Sequence, residues 1–561
     1  MGKTLFFYIF GDLLKYFVLA SAGLAAIMSF GGLLRPLTRQ GLGLAEVVTV
    51  LANLMPAMST YSLPVAALFA TTLVYGRLAA DNELTAMRAG GISHLAAAFP
   101  GLVLGLMVAL LSMVMFFFVV PASIYNVERV IYSNVARLLA TNIERNREFR
   151  LDRAGPTLAA QGASVLPPDP SDPRRQTVVL DSPLIISSTA VVGADGERLS
   201  VPRTFYTARK ATVHIRQVDD ADEVEITAQL EGGVSFPRRF EGAVTGGVEV
   251  TQFGPRRVPS ALAEKTKFMD LRKLHALYAN PESARRVRAV LAEINRLLQQ
   301  RYVLSMLEKR LSEGPADLPG VDGETHTLAA AGAELRLRLR ESDLVITAPA
   351  SGWVSFATAR GTAPPSIEVQ ARSAVVRLTP DDRAGVMEFD IAFDQAEVRG
   401  GGSDEVALRD RFRRSFTVVQ PPEVSAIAAR SVAQHEANAE LPDDLRRRLE
   451  RELIVTRNEV YGELNARAAF ALSCLVLVMM GVFLGMMFRS GHFLSAFAVS
   501  VVPAMFCILL TVTGQHTVED VPSRLPPEWQ NPLGVGLVLI WLGNAVVGLA
   551  SCVLLYRLQR Q

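Results

Sequence analysis

Six long apolar runs constrain the possible folds more than any other feature of the chain. A helix must supply roughly 20 mostly apolar residues to cross a bilayer, because lipid offers no partners for unpaired backbone groups. Runs of that length occur toward both ends of the 561 residues, with a long polar region between them. They predict a multi-pass membrane protein. The predicted spans are residues 16–34, 47–76, 96–120, 468–488, 493–513 and 533–555.

Cations in the short loops predict the direction of these spans. Cytoplasmic loops carry an excess of Lys and Arg. With both termini inside, seven cations face the cytoplasm, whereas the opposite short loops carry three Arg against four acidic residues. We therefore predict an inner-membrane protein with cytoplasmic termini and one large periplasmic region. The seven cations are Lys3, Lys15, Arg77, Arg88, Arg489, Arg557 and Arg560.

The region between the third and fourth spans predicts two β-rich parts. Over 176–253, β-branched and aromatic residues alternate partly with polar ones, which is typical of a β-sandwich or jelly-roll. Apolar residues then recur at helical spacing over 287–298, and a second strand-rich block covers 327–418. All three cysteines lie in the C-terminal apolar runs, so each soluble part must bury a core without disulfides.

Signals for catalysis and cofactors are absent from the sequence. No Gly-rich loop ends in Gly-Lys-Ser or Gly-Lys-Thr, which excludes ATP binding by a P-loop. His435 and Glu436 begin a segment without the second His that a zinc helix needs. A net charge of +2 without a basic run gives no reason to expect nucleic acid. We expect no catalytic residues, no metal and no cofactor.

The loop between the second and third spans is the first candidate functional segment. Asp81 and Glu83 lie near the start of a predicted short helix and Arg88 near its end, which complements the helix dipole. Leu84 and Met87 predict a small apolar face. Such a helix could dock a cytoplasmic motor, although an ordinary amphipathic connector fits the pattern equally well.

Two pairs of charged residues at predicted span ends are further candidates. Arg35 and Arg39 would share a helix face at the outer end of the first span, unless Pro36 breaks the helix. They would either bind anionic groups of an amphiphile or extend to the interface as ordinary cations. Glu463 and Arg467 have the same spacing at the fourth span. They predict an internal ion pair; contact with a substrate is the alternative.

Several segments resemble the LptF/LptG family, the permeases of the lipopolysaccharide-export ABC transporter. "YGRLAADNELTAMRAGGIS" is similar to the coupling-helix segment of that family. "ELNARAAFALSCLVLVMMGVFLG" with "FRSGHFLSAFAVS" resembles its fourth and fifth spans, and "LPPEWQNPLGVGLVL" resembles the segment before its last span. The resemblance covers roughly the first 125 and the last 100 residues.

The resemblance implies partners and roles for the candidate residues. It implies an LptB-like cytoplasmic ATPase dimer, a second LptF/LptG-type permease, and an LptC/LptA-like periplasmic bridge. Glu83 matches the coupling-helix acid that contacts the ATPase in the family, and together with Asp81, Leu84, Met87 and Arg88 it would form the ATPase-coupling site. Arg35 and Arg39 would face lipid A phosphates. The implied function is extraction of lipopolysaccharide, or a related amphiphilic lipid, from the inner membrane.

The soluble region is longer than the family usually has. "KTKFMDLRKL" resembles the segment that follows the family's jelly-roll, yet about 190 residues intervene before the fourth span. We therefore predict a membrane α-helical fold of three plus three spans, with a β-jelly-roll-like domain and an inserted second α+β unit. A non-transporting scaffold that displays a periplasmic β adaptor is the alternative function. The predicted domains are spans 1–3 over 1–127 with a coupling helix at 77–91, the jelly-roll-like domain over 128–265, the insertion over 266–460, and spans 4–6 over 461–561.

Overall fold

A computed structural model describes most of the chain. Its description omits several short segments, chiefly in the loops of the two β-rich parts and before the last helix. The described residues are 2–40, 44–133, 135–150, 157–167, 175–192, 198–218, 223–237, 248–249, 252–259, 265–321, 323–330, 332–338, 342–350, 352–361, 364–381, 385–400, 406–428, 430, 432–436, 441–487, 493–519 and 532–560.

Thirteen α-helices occur in the described part of the chain. Among the described residues, six helical segments are long and apolar enough to cross a membrane, as the sequence predicts. The helices are α1 (Lys3–Gln40), α2 (Leu44–Ala80), α3 (Glu83–Ala89), α4 (His94–Val114), α5 (Val120–Ser133), α6 (Val135–Asn146), α7 (Leu271–Ala279), α8 (Arg285–Glu313), α9 (Pro422–Ala428), α10 (Val432–Glu436), α11 (Asp443–Met487), α12 (Phe493–Glu519) and α13 (Pro532–Arg560). The membrane-length segments are Lys3–Gly31, Leu51–Ala80, His94–Val127, Asp443–Met487, Val501–Glu519 and Pro532–Arg560.

The helices extend beyond the apolar runs that predict them. Pro36 does not end α1, which continues to Gln40, and α2 is one helix through Pro56 and Pro64. Hydroxyl groups follow Pro56 by one turn: Ser59 and Thr60 both donate to its carbonyl. These hydroxyl donors add to the helical hydrogen bonding at the Pro56 carbonyl, one turn after the proline.

The first β-rich part contains two antiparallel sheets. One has the order β1-β2-β5-β6-β9-β10 and the other β11-β8-β7-β4-β3. Side chains from α6 pack with those of both sheets in one core, whose buried members include Ile143, Val178, Ile185 and Val213. The jelly-roll connectivity stays a prediction. The strands are β1 (Glu148–Arg150), β2 (Thr157–Ala159), β3 (Gly162–Val165), β4 (Arg175–Asp181), β5 (Leu184–Val192), β6 (Arg198–Thr207), β7 (Lys210–Val218), β8 (Glu223–Glu231), β9 (Val234–Pro237), β10 (Val248–Glu249) and β11 (Gln252–Pro259).

The second β-rich part is a single antiparallel sheet packed on one helix. The strand order is β12-β13-β16-β17-β15-β14, and β18 pairs with both β17 and β19. The C-terminal half of α8 contributes Leu304, Leu307 and Leu311 to the sheet's core. The strands are β12 (Ala316–Pro319), β13 (Thr325–Ala329), β14 (Glu334–Arg338), β15 (Asp343–Thr347), β16 (Val354–Ala359), β17 (Ile367–Asp381), β18 (Val386–Gly400) and β19 (Val406–Val419).

The chain separates into two compact units. The first comprises Met1–Ala279 with Arg457–Gln561, and the second Asn280–Thr456. The second unit begins later than the predicted insertion at 266. Residues 266–279, a 3₁₀ turn (Thr266–Phe268) followed by α7, are part of the first unit. The reason is a set of hydrogen bonds from the fourth span, described below.

The last two membrane helices approach each other closely at two glycines. A Cβ atom added at Gly536 would lie 2.7 Å from the carbonyl oxygen of Gly514 and would clash with Val518. At Gly548 on the same helix, the nearest atom to an added Cβ would be Val476 Cγ1 at 3.9 Å. Small residues allow such close helix packing in membranes.

Gly536→Ala should therefore destabilise the protein, whereas Gly548→Ala should not. Overpacking against a backbone oxygen costs about 1–3 kcal/mol. Gly548→Ala adds a methyl group in ordinary contact and gains up to ~1 kcal/mol of helix propensity. Thermal unfolding of the two variants in the same detergent measures the difference. Equal thermal-unfolding midpoints for the two variants would show that the close approach at Gly536 does not affect stability.

Candidate functional site

The segment between α2 and α4 is a short helix with a fixed ending. α3 covers Glu83–Ala89, so it is shorter than the predicted 77–91. Gly91 has a φ of +81°, and the amides of Gly91 and Ile92 donate to the carbonyls of Arg88 and Met87. This pattern is a Schellman motif, which requires a left-handed residue where Gly91 stands.

The next helix starts immediately after this motif. Ser93 is the N-cap of α4, and its side chain accepts a hydrogen bond of 3.2 Å from the amide of Ala96. A hydroxyl acceptor at this position satisfies one of the free amides of the first turn. Because one capping motif follows the other directly, α3 is held in a defined position relative to α4.

The apolar side chains of α3 point into the helical bundle. Leu84 and Met87 are buried in a cluster with residues of the first, second and third spans. They therefore cannot form the exposed docking face that the sequence predicts, because the bundle already covers them. Asp81, which lies in the turn before α3, and Arg88 are exposed, and Glu83 is half-buried.

An ion pair anchors the second span next to this segment. Arg77, near the C-terminal end of α2, pairs with Asp12 on α1, and both side chains are partly exposed. A cation in the last turn of a helix also interacts favourably with the helix dipole. The sequence shows Arg77 only as one of the loop cations, and no local pattern connects it with Asp12, which lies on another helix.

Arg35 and Arg39 both lie on α1, which continues through Pro36. Their side chains are outside the described part of the structure. Their predicted role with anionic lipid groups stays a prediction.

Glu463 and Arg467 form a buried ion pair on α11. Arg467 Nε lies 2.8 Å from Glu463 Oε1, and the side chains are 1% and 9% exposed. Gln515 on α12 donates from Nε2 to the other carboxylate oxygen of Glu463 at 2.9 Å. The pair thereby links the fourth and fifth spans. The sequence predicts the pair itself but neither its burial nor this third partner.

Arg467 also donates to three backbone carbonyls on two other segments. Nη2 lies 3.1 Å from the oxygen of Thr266 and 2.9 Å from that of Met269, and Nη1 lies 3.2 Å from that of Phe116. The guanidinium carbon is 5.4 Å from the centroid of the Phe117 ring. A planar guanidinium with five fixed donors can join several acceptors in this way. We call Arg467 with these partners the Arg467 hub.

Local sequence explains why the carbonyl of Phe116 is available. Residues Met115–Val119 form a π-helical turn, in which the amide of Val120 donates to the carbonyl of Met115. The same spacing would pair Phe116 with the amide of residue 121, but Pro121 has no N–H. Burial of an unpaired carbonyl is costly, and Arg467 removes that cost. π-Turns inside helices are often found at functional sites.

The segment that follows the first β-rich part has further contacts with α11. Thr266 Oγ1 donates to Glu459 Oε1 at 3.0 Å. Lys267 Nζ lies 4.8 Å from the centroid of the Phe268 ring. Partial burial, reinforced by the neighbouring Lys265, lowers the pKa of the Lys267 amine. The Arg467 hub therefore joins the third, fourth and fifth spans to the segment that follows the first β-rich part.

No metal site is formed in the described part of the chain, since no three His, Cys, Asp or Glu side chains are grouped to hold an ion. Cys474 and Cys507 are buried free thiols, as expected of small apolar fillers, whereas Cys552 is exposed.

A chain of this kind is a multi-pass membrane protein with a β-rich soluble part. Residues 7–160 match the model of the family described as lipopolysaccharide export system permease LptF/LptG. The match covers the first three spans, α3, α5 and α6, and the first strands, and it agrees with the resemblance of the segment between α2 and α4; the similar segments of the last three spans lie outside it. By this description the family consists of export-system permeases. No curated protein matches the chain.

Proposed function

We propose that this protein is the permease subunit of an ABC transporter that extracts lipopolysaccharide, or a related amphiphilic lipid, from the inner membrane. The observation that carries the proposal is the family match over 7–160, which includes the segment between α2 and α4. The lipid then passes through the first β-rich part to an LptC/LptA-like periplasmic bridge. A second LptF/LptG-type permease completes the membrane part.

The physical chemistry of the cargo calls for an external energy source. Exposing an acyl chain to water costs about 0.8 kcal/mol per CH₂, so a lipid with several chains does not leave the bilayer unaided. The chain has no P-loop, and an LptB-like ATPase dimer on the cytoplasmic side would supply the work. In this topology both termini and α3 are cytoplasmic.

The first β-rich part offers an open cleft for an amphiphile. Its volume is about 480 Å³, and its lining includes the cation Arg147 and the exposed apolar side chain of Leu184. A cleft with both kinds of group suits a molecule that has phosphates and acyl chains. We assign the jelly-roll role to this part, over 128–265, and treat the second β-rich part as an insertion.

Photo-crosslinking tests the proposal. The full-length chain is co-expressed with its partner permease and the ATPase, and p-benzoylphenylalanine replaces Leu184. We expect an ATP-dependent crosslink to lipopolysaccharide at Leu184 in proteoliposomes. Leu408, which is 80% exposed on the second unit, is the matched control position and should give none.

The same experiment distinguishes a transporter from a scaffold. A scaffold would give no ATP-dependent crosslink and would not co-purify with an ATPase whose activity depends on α3. Crosslinking that is equal with and without ATP would contradict the proposed transport.

A further inference from the structure

An apolar cleft lies beside the Arg467 hub, between the end of the third span and the segment around α7. Its volume is about 290 Å³, close to the lower limit of roughly 300 Å³ for ligand pockets. Four of its ten lining residues are aromatic. These are Phe117, Phe118, Tyr125 and Phe268. The opening is bordered by Asp270 and Lys273.

The cleft lies at the level of the membrane surface. Phe117 is 23 residues after His94, which corresponds to roughly 35 Å along a helix and exceeds a hydrocarbon core of about 30 Å. The side chains of Phe118 and Tyr125 are 68% and 53% exposed. Aromatic residues with such exposure at a span end are typical of the lipid headgroup region. This placement rests on the proposed orientation of the spans.

The segment that forms the other wall has the character of an interfacial helix. In α7, Leu274 and Leu277 are buried, whereas Leu271 and Tyr278 are about half exposed next to exposed cations. The described residues from 265 to 273 contain four cations and one acid. The cations are Lys265, Lys267, Arg272 and Lys273, and the acid is Asp270. One Asp270 oxygen already accepts the amide of Lys273 at 2.7 Å. Glu463 and Glu519 act on Lys267, so the cations that favour an anionic headgroup are Arg272 and Lys273, next to the opening.

The Arg467 hub forms the cleft before any ligand arrives. Arg467 donates to the carbonyl of Met269 in one wall and lies over the ring of Phe117 in the other. Because the guanidinium holds both walls, a ligand does not have to order them. Preorganisation of this kind raises affinity.

We propose that this cleft binds one acyl chain of a resident anionic glycerophospholipid, with its phosphate at Lys273, which borders the opening, and next to the exposed Arg272. The occupant we assign is a constitutive membrane lipid that inserts one of its two chains, since the cleft has room for part of one chain. The transported cargo could insert a chain in the same way, and competition with lipopolysaccharide tests that alternative. The lipid seals the outer surface of the membrane part where the third span meets α7.

Native mass spectrometry of the full-length chain tests this site, with phosphatidylglycerol and phosphatidylethanolamine as probes. Ala122 lines the cleft and is exposed, so Ala122→Trp fills it without disturbing the core. We expect the native chain to retain one phosphatidylglycerol, and Ala122→Trp to lower that retention at least tenfold. Met113→Trp is the matched control on an exposed face of the same span and should retain the lipid.

Charge and position supply independent readouts. Lys273→Glu should lower retention of phosphatidylglycerol and leave that of phosphatidylethanolamine unchanged. With p-benzoylphenylalanine at Phe118, phosphatidylglycerol should be enriched among crosslinked lipids relative to the same probe at Leu110, which is exposed on the span.

Three results would each overturn the proposal. The native chain could retain both lipids equally, Ala122→Trp could retain as much lipid as Met113→Trp, or lipopolysaccharide could displace the bound lipid. The assay contains no ATPase. A failure of the proposed transport would therefore leave the lipid retention intact.

Discussion

Replacing Arg467 by Met is expected to lower the free energy of unfolding by about 3–5 kcal/mol, the cost of leaving one member of a buried ion pair without its partner. The variant leaves Glu463 buried and charged. It also removes the hydrogen bonds to the carbonyls of Phe116, Thr266 and Met269. Unfolding in increasing denaturant, with the protein in detergent, measures the loss.

Two matched variants separate the hub from a general effect of lost charge. Arg457→Met removes an exposed cation from the same helix and should change stability by less than about 0.5 kcal/mol. The double variant Glu463→Gln/Arg467→Met should recover part of the loss, because it no longer buries an unpaired carboxylate. If Arg467→Met were as stable as Arg457→Met, the hub would have no structural role.

The sequence contains the ion pair but not the hub. Glu463 and Arg467 stand four apart in a helical segment, so their contact follows from helix periodicity. The carbonyls of Thr266 and Phe116 are 201 and 351 residues away from Arg467, and no local pattern connects them. One signal was present: Pro121 near the end of an apolar span predicts an unpaired carbonyl four residues earlier, at Phe117. The π-helical turn shifts the spacing by one residue, so Phe116 is the carbonyl that Arg467 bonds. The proline does not reveal which donor satisfies that carbonyl.

For the segment between α2 and α4, the sequence predicts the local helix but not what its apolar face contacts. The sequence correctly predicts a short helix that ends at Gly90 and Gly91. Apolar residues on such a helix indicate only that one face is covered, and they do not indicate what covers it. Here the chain's own bundle covers Leu84 and Met87.

The β-rich parts follow the sequence more closely. Strand-like alternation predicts both of them, and helical periodicity predicts α8 between them. The order of strands in each sheet could not be predicted, because pairing depends on contacts between residues far apart in the chain.

On the proposed function, reversing the charge of Glu83 should lower ATP-driven lipid release at least tenfold while leaving the permease folded. Glu83 is the first residue of α3 and is half-buried next to the exposed Asp81. Loss of an acid from the first helical turn costs only about 0.3–1 kcal/mol of stability. A larger effect of Glu83→Lys on transport therefore cannot come from unfolding. Because coupling energies of 1–3 kcal/mol correspond to about 5–150-fold, we expect ATP-driven lipid release to fall at least tenfold.

The control for this experiment is the same substitution elsewhere in the first unit. Glu144→Lys reverses an exposed charge on α6 and should leave lipid release unchanged.

Co-purification of the ATPase with each permease variant shows whether the ATPase still binds. ATP-dependent release in proteoliposomes shows whether ATP hydrolysis still drives lipid release. A second-site charge reversal on the ATPase that restores release to Glu83→Lys would identify a direct pairing across the interface. Normal release by Glu83→Lys would show that α3 transmits no motion through this carboxylate. The function of the segment would then be to connect the second and third spans through its two capping motifs.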